Sequence, residues 1–309
     1  MGPPLYGSGS EGTGPALFSR RLQEEARAPG DPSNGLGPCE RVSLSVVNAD
    51  SSNKGELRRR VDEIDWFHKY EIVPGVVSPG VYEPQIHLER GCLPDDLSGR
   101  TVLDIGAWDG FFSFEAERRG ASRVLASDSW AWQGRSPLPA KPGSSGPAFG
   151  SKRGFDLVHE VRNSKVESTE VDVMDLDPAD VGTFDVVLFL GVLYHLPHPL
   201  LALEKVASVV ADGGMVIMET VIDQMFTRRP AAAFYPGGDL NDDDTNYWGT
   251  NLACNIGMMR VAGFTRAETH WHTTFPTRVG HYVKQFAKGN RLPFVQAMNT
   301  GRGVFYGYK

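Results

Sequence analysis

The chain has 309 residues, 40% of them apolar, enough to bury a large core in one domain or two small ones, so a wholly disordered or fibrous chain is excluded. Its 31 Lys+Arg stand against 38 Asp+Glu, a formal net charge of −7. No global cationic field is available to a polyanion, and nucleic acid is disfavoured as a partner. Cys39, Cys92 and Cys254 are too scattered for a zinc site or a disulfide framework. With no apolar run of membrane-spanning length and no secretory leader pattern, the expectation is a cytoplasmic protein without a membrane segment.

In chain order, residues 1–50 read as a disordered tail, rich in Gly and Pro with little apolar surface to offset the entropy of ordering. Residues 51–97 read as an N-terminal cap. Within them GELRRRVDEIDWFHKYEI sets Leu57, Val61, Ile64 and Phe67 at helical spacings, and VPGVVSPG marks a turn-rich stretch. From 98 to 309 short apolar runs alternate with helical patterns, the form of a doubly wound α/β sheet. The runs lie at 101–106, 123–128, 168–173, 184–191 and 214–220, with 264–272 and 304–308 completing the set. The predicted architecture is a mostly parallel, seven-stranded, Rossmann-like sheet with an N-terminal helical cap. A polar, Pro-rich insert at 134–154 reads as a surface loop or mobile lid.

The run from Val102 to Gly110, VLDIGAWDG, is a buried strand ending in a glycine turn that opens a helix near Phe111. Glycine there lets the backbone approach a ligand that a side chain would exclude. Asp128 closes the second strand, where a ribose would offer two hydroxyl donors to a carboxylate. Trp108 stands where the dinucleotide fingerprint has its second glycine, and its indole would crowd a pyrophosphate, so a nicotinamide cofactor is disfavoured.

This D-x-G-x-x-x-G arrangement resembles the first motif of the class I methyltransferases that use S-adenosylmethionine, and the likeness continues in order over about residues 98–272. The resemblance implies that cofactor. It would be held by Asp104, Gly106, Ala107, Trp108 and Gly110 at the turn and by Asp128 and Ser129 at the ribose. Asp172 and Val173 would meet the adenine, and Leu190 and Gly191 would lie at the end of the fourth strand.

Within that superfamily GVLYHL, GGMVIMETVID, FYPG and TNYWGTN resemble relatives of the bacterial enzyme that completes 5-oxyacetyl uridine at the tRNA wobble position. The resemblance implies a carboxylated S-adenosylmethionine held by basic residues before the core and after strand five. Here the corresponding stretches, WFHKYEIVPG and FYPGGDLNDDDTNYWGTN, offer Lys69 in the first and no Arg or Lys in the second. An acidic loop is a poor host for another carboxylate. The favoured expectation is therefore ordinary methyl transfer to an oxygen or nitrogen of a small-molecule acceptor. The alternatives are methyl or carboxymethyl transfer to a tRNA wobble uridine, and a non-catalytic regulatory protein that binds the cofactor.

Methyl transfer from a sulfonium needs alignment and, for a protonated nucleophile, a base. His195, at the mouth of the fourth strand, is the candidate base or else a residue shaping the pocket; Tyr194 beside it would orient substrate or cofactor. His270 and His272 alternate along a strand, and Asp242, Asp243 and Asp244 form an acidic run, but neither carries a full ligand set, and no metal is expected. Trp66, Phe67, Tyr70, Phe234, Tyr235, Tyr247 and Trp248 either wall an acceptor pocket or pack the cap against the sheet.

Overall fold

The structure, a computed structural model, describes residues 51–134, 150–241, 243–289 and 293–309. The tail predicted at 1–50, residues 135–149 of the insert, and Asp242 lie outside the described residues. Helix α1 (Ser51–Asp62) is followed by the antiparallel hairpin β1 (Glu71–Val73) and β2 (Val76–Val77), then α2 (Gln85–Glu89). The alternating part runs β3 (Thr101–Ile105), α3 (Phe111–Arg118), β4 (Arg123–Ser127), α4 (Arg153–Arg162), β5 (Glu167–Thr169), α5 (Pro178–Val181), β6 (Phe184–Leu190), α6 (Pro199–Ser208) and β7 (Val210–Ile222). It closes with β8 (Ala232–Phe234), β9 (Trp248–Thr250), α7 (Leu252–Val261), β10 (Arg266–His272), α8 (Phe275–Ala287), α9 (Phe294–Asn299) and β11 (Gly301–Tyr308).

The seven predicted runs form one path in the order β10-β11-β7-β6-β3-β4-β5. Strands β3 to β7 pair in parallel, whereas β11 is antiparallel to both β7 and β10. The short strands β8 and β9 join at the end of β7 and bring the sheet to nine strands. Three residues are too few to leave a period in sequence. Strand order reverses between β3 and β6, and ligands of such sheets gather at the carboxyl ends beside that switch.

Parallel strands covered on both faces are apolar nearly throughout. Val102, Val124, Val186, Leu188, Ile217 and Val304 face one core with Leu57, Val61 and Trp66 from the cap. Leu103, Leu125, Val187, Phe189, Met218 and Phe305 face the other, with Leu203 of α6 and Met259 of α7. The cap thus covers one face of the sheet. It is only partly helical, because α1 stops at Asp62 and the backbone of Phe67 and His68 turns toward Asp109.

Two local expectations change. The third strand, expected over 168–173, ends at Thr169. Asp172 instead caps a short 3₁₀ turn at Val173–Asp175, its carboxylate accepting the Met174 N–H at 2.9 Å, a local bond that competes with strand pairing. In β10 the register shifts between Thr269 and Trp271, so His270 and His272 do not keep strict alternation. His270 stacks on Tyr306 with centroids 4.2 Å apart. Among the described residues no group of three or more His, Cys, Asp or Glu could hold a metal, and no helix is long and apolar enough to cross a membrane.

Candidate functional site

Two glycine turns meet at the carboxyl ends of β3 and β6. Gly106 (φ 79°) and Gly191 (φ 74°) both occupy the left-handed region. A Cβ on Gly106 would lie 2.6 Å from Val192 Cγ2, and one on Gly191 would lie 3.5 Å from the Tyr194 hydroxyl. At Gly106 both the positive φ and the close Val192 side chain call for glycine, whereas at Gly191 the positive φ alone does. Ala107 is buried, Trp108 is half-buried with φ 51°, and Gly110 (φ 81°) opens α3. Leu190 is the last residue of β6 and is half-buried.

Asp128 follows β4 and binds this turn directly. Its carboxylate accepts the Trp108 N–H at 3.0 Å and the Ala131 N–H at 2.9 Å. Burial pushes its carboxyl up to about 6, against the pull of those backbone donors. Asp104 is also raised to about 6 by burial and takes the Ser113 hydroxyl at 2.6 Å, which ties β3 to α3.

At the expected adenine end, Asp172 accepts from the Ser129 hydroxyl at 3.2 Å and the Trp130 indole N–H at 2.6 Å, and Val173 is buried beside it. The donor set fits S-adenosylmethionine: carboxylates for hydroxyls and an amine, and glycine turns beside them.

The cap is fastened to the same turn by Asp109. This buried carboxylate accepts the backbone N–H groups of Phe67 at 3.1 Å and His68 at 2.8 Å, and also bonds the His68 ring. Phe67 stacks on Trp108 with centroids 4.5 Å apart, while the Trp132 indole donates to the Trp108 carbonyl at 2.6 Å. Trp66 and Tyr70 are buried in the cap's own core. The early aromatics therefore pack the cap. Phe234, Tyr247 and Trp248 contact one another beside β8 and β9, and Tyr235 donates to the buried Asp223 at the end of β7.

His195 ends a 3₁₀ turn after β6 and is half-buried. Its Nδ1 lies 3.0 Å from the Thr245 carbonyl oxygen and 2.9 Å from the Thr245 hydroxyl. A carbonyl only accepts, and the Thr245 hydroxyl gives its one proton to Asp243 at 2.6 Å. Nδ1 must therefore carry the hydrogen, which leaves Nε2 as a free base. Burial lowers the imidazole's pKa, opposed by the nearby Asp243 carboxylate. Asp243, read in the sequence as part of a solvated acidic run, thus helps set the tautomer of His195.

Tyr194 sits above a buried ionic network that the sequence reading missed. The Arg302 guanidinium donates to its hydroxyl at 3.3 Å and grips Glu219 at 2.6 and 3.0 Å. Glu219 is fully buried on β7, and His87 Nε2 lies 3.6 Å from it. Burial alone would raise the Glu219 carboxyl; Arg302, with help from His87, holds it down to about 2. Tyr82 bonds His87 in turn, so the network runs from the cap to the site. Lys69, the one cation that the WFHKYEIVPG stretch offers, is at the surface 3.3 Å from Glu83.

Residues 85–277 match the family described as "Methyltransferase domain". The chain is 25% identical over 171 residues to a tRNA U34 carboxymethyltransferase of Desulfotalea psychrophila, a match covering 55% of this chain and 46% of the relative. It is 30% identical over 130 residues to the protein of that name from Marinobacter nauticus, covering 41% and 33%. The chain therefore matches less than half the length of these relatives. Among solved structures it is similar to the N-terminal domain of EvdMO1 with SAH bound, with a TM-score of 0.55 and 18% identity over 82% of this chain and 96% of that one. At that identity the likeness is one of fold.

Proposed function

Because the chain belongs to the methyltransferase domain family, with the class I fold and S-adenosylmethionine as cofactor, we propose that it methylates an oxygen or nitrogen of a small-molecule acceptor. The cofactor supplies a methyl group activated by its sulfonium. Asp128 accepts the ribose hydroxyls, and the Gly106 and Gly191 turns let the cofactor lie against backbone. Tyr194 orients the acceptor. His195 Nε2 takes the acceptor's O–H or N–H proton as the new bond to the methyl carbon forms, leaving an imidazolium whose Nδ1–H points at the Thr245 carbonyl. Alignment of the nucleophile supplies most of the remaining acceleration.

The observation that carries the choice of a plain methyl group is the Arg302–Glu219 pair. The buried cation that reaches Tyr194, Arg302, is already neutralised by a buried carboxylate at 2.6 Å and so offers no free charge to a carboxylated cofactor. The second reading, alkylation of a tRNA wobble uridine, is favoured by the names of the relatives. Mass spectrometry of the copurified ligand, followed by transfer from labelled S-adenosylmethionine to a metabolite extract and to bulk tRNA, separates the two. The expected result is the unmodified cofactor and label in a small molecule. A stoichiometric carboxylated cofactor, or label in tRNA alone, would overturn the proposal.

A further inference from the structure

Among the described residues Arg278 is a buried cation with no carboxylate paired to it. It is 8% exposed, and its Nε and Nη1 have no hydrogen-bond partner among the described residues. Burial alone lowers its pKa, with no carboxylate opposing the shift. Arg302 is buried to the same degree but carries Glu219. An unpaired buried charge is costly, and functional sites are where proteins break local rules of this kind.

The position of Arg278 says what that partner is. It lies in the first turn of α8, a helix capped by the Thr274 hydroxyl. Helical side chains lean toward the N-terminus, and the guanidinium carbon is 5.8 Å from the ring of Phe275, the first residue of the helix. Guanidinium and helix N-terminus both favour negative charge. The turn follows β10 on the side where the carboxyl ends of β3 to β7 lie. Thr273 just before it donates its N–H to the Arg302 carbonyl at 2.9 Å and accepts the Arg302 N–H at 3.0 Å. Arg302 in turn reaches Tyr194.

Resting on the methyltransferase reading, we propose that Arg278 binds an oxyanion of the acceptor, a carboxylate or phosphate, at the start of α8. The acceptor then spans from this anchor to the methylated atom near His195. The distance is about three strand spacings, roughly 14 Å, from β10 to β6. A small acid or phosphate ester of that reach fits.

The test compares the full chain with Arg278→Met and Arg278→Lys by thermal unfolding at matched ionic strength, without added anion and with inorganic phosphate or acetate. At ten times its Kd, the bound anion should raise the wild-type Tm by about 3–6 °C. Arg278→Met should lose that rise, and Arg278→Lys should keep part of it. The anion giving the larger rise assigns phosphate or carboxylate. Without anion, Arg278→Met should unfold at or above the wild-type temperature, because it removes an unpaired charge. Equal anion effects on wild type and Arg278→Met, no effect on either, or an anion-free Tm of Arg278→Met below wild type overturns the proposal. Calorimetry with S-adenosylhomocysteine on the same proteins should show equal affinities. No binding to wild type would overturn the methyltransferase reading and, with it, the acceptor's part in this one.

Discussion

Asp128 is buried, accepts two backbone N–H groups, and still has its carboxyl raised to about 6. Ribose hydroxyls would bond the ionised form, so Asp128→Ala should weaken S-adenosylhomocysteine binding roughly 10- to 150-fold, as read by calorimetry. The sign with pH follows from the raised pKa. The free protein gains a proton on Asp128 as pH falls through about 6, so affinity should decline below that pH, approaching tenfold per unit, and Asp128→Asn should flatten the profile. Affinity that ignores both substitutions would reject the ribose assignment.

For His195, replacement by Ala should lower turnover by roughly 10²- to 10⁴-fold while leaving cofactor affinity nearly intact. Because burial lowers its pKa, the native rate should rise with pH through an apparent pKa below the ordinary 6.5, a step the variant lacks. A variant rate close to wild type would assign His195 to shaping the pocket instead.

Strands β7 and β11 are joined by backbone pairing from Met215 to Ile222 and by the Glu219–Arg302 pair within it. Arg302→Met strands a buried carboxylate and should cost about 3–5 kcal/mol in chemical denaturation; the double variant Glu219→Gln, Arg302→Met should recover much of that loss. Glu219 is held at about 2 against an ordinary 4.5. Its contribution, about 3 kcal/mol, is present above pH 4.5 and is lost as pH falls toward 2. A wild type and a Glu219→Gln variant with the same acid limb would contradict it. The strands themselves were legible in the residues, since VVLF and VIMETVI are continuous buried runs. The pairing of Glu219 with Arg302 was not, because 83 residues separate them.

At the scale of the fold, the cap is tied to the turn that follows β3 and through it to the sheet. Asp109 bonds Phe67 and His68 across more than 40 positions, and Phe67 rests on Trp108 of the turn. Asp109→Ala should therefore cost about 2–4 kcal/mol and weaken cofactor binding together, with faster proteolysis of residues 51–97. A loss of stability without a loss of affinity would separate the cap from the site.

Local chemistry is written in sequence where one residue type alone satisfies the backbone or the burial. Gly106, Gly110 and Gly191 hold positive φ at the turns, and the apolar runs at 101–106, 123–128, 184–191 and 214–220 became parallel strands for that reason. Asp128 could be singled out in the sequence because it directly follows the strand that ends before it. The other partners depend on the closed sheet. Thr245 lies 50 positions from His195, Arg302 lies 108 from Tyr194, and Arg278 is unpaired only because packing encloses it. Periodicity records which face a residue takes, but the meeting of distant charges and the withdrawal of water from them arise only when the strands assemble.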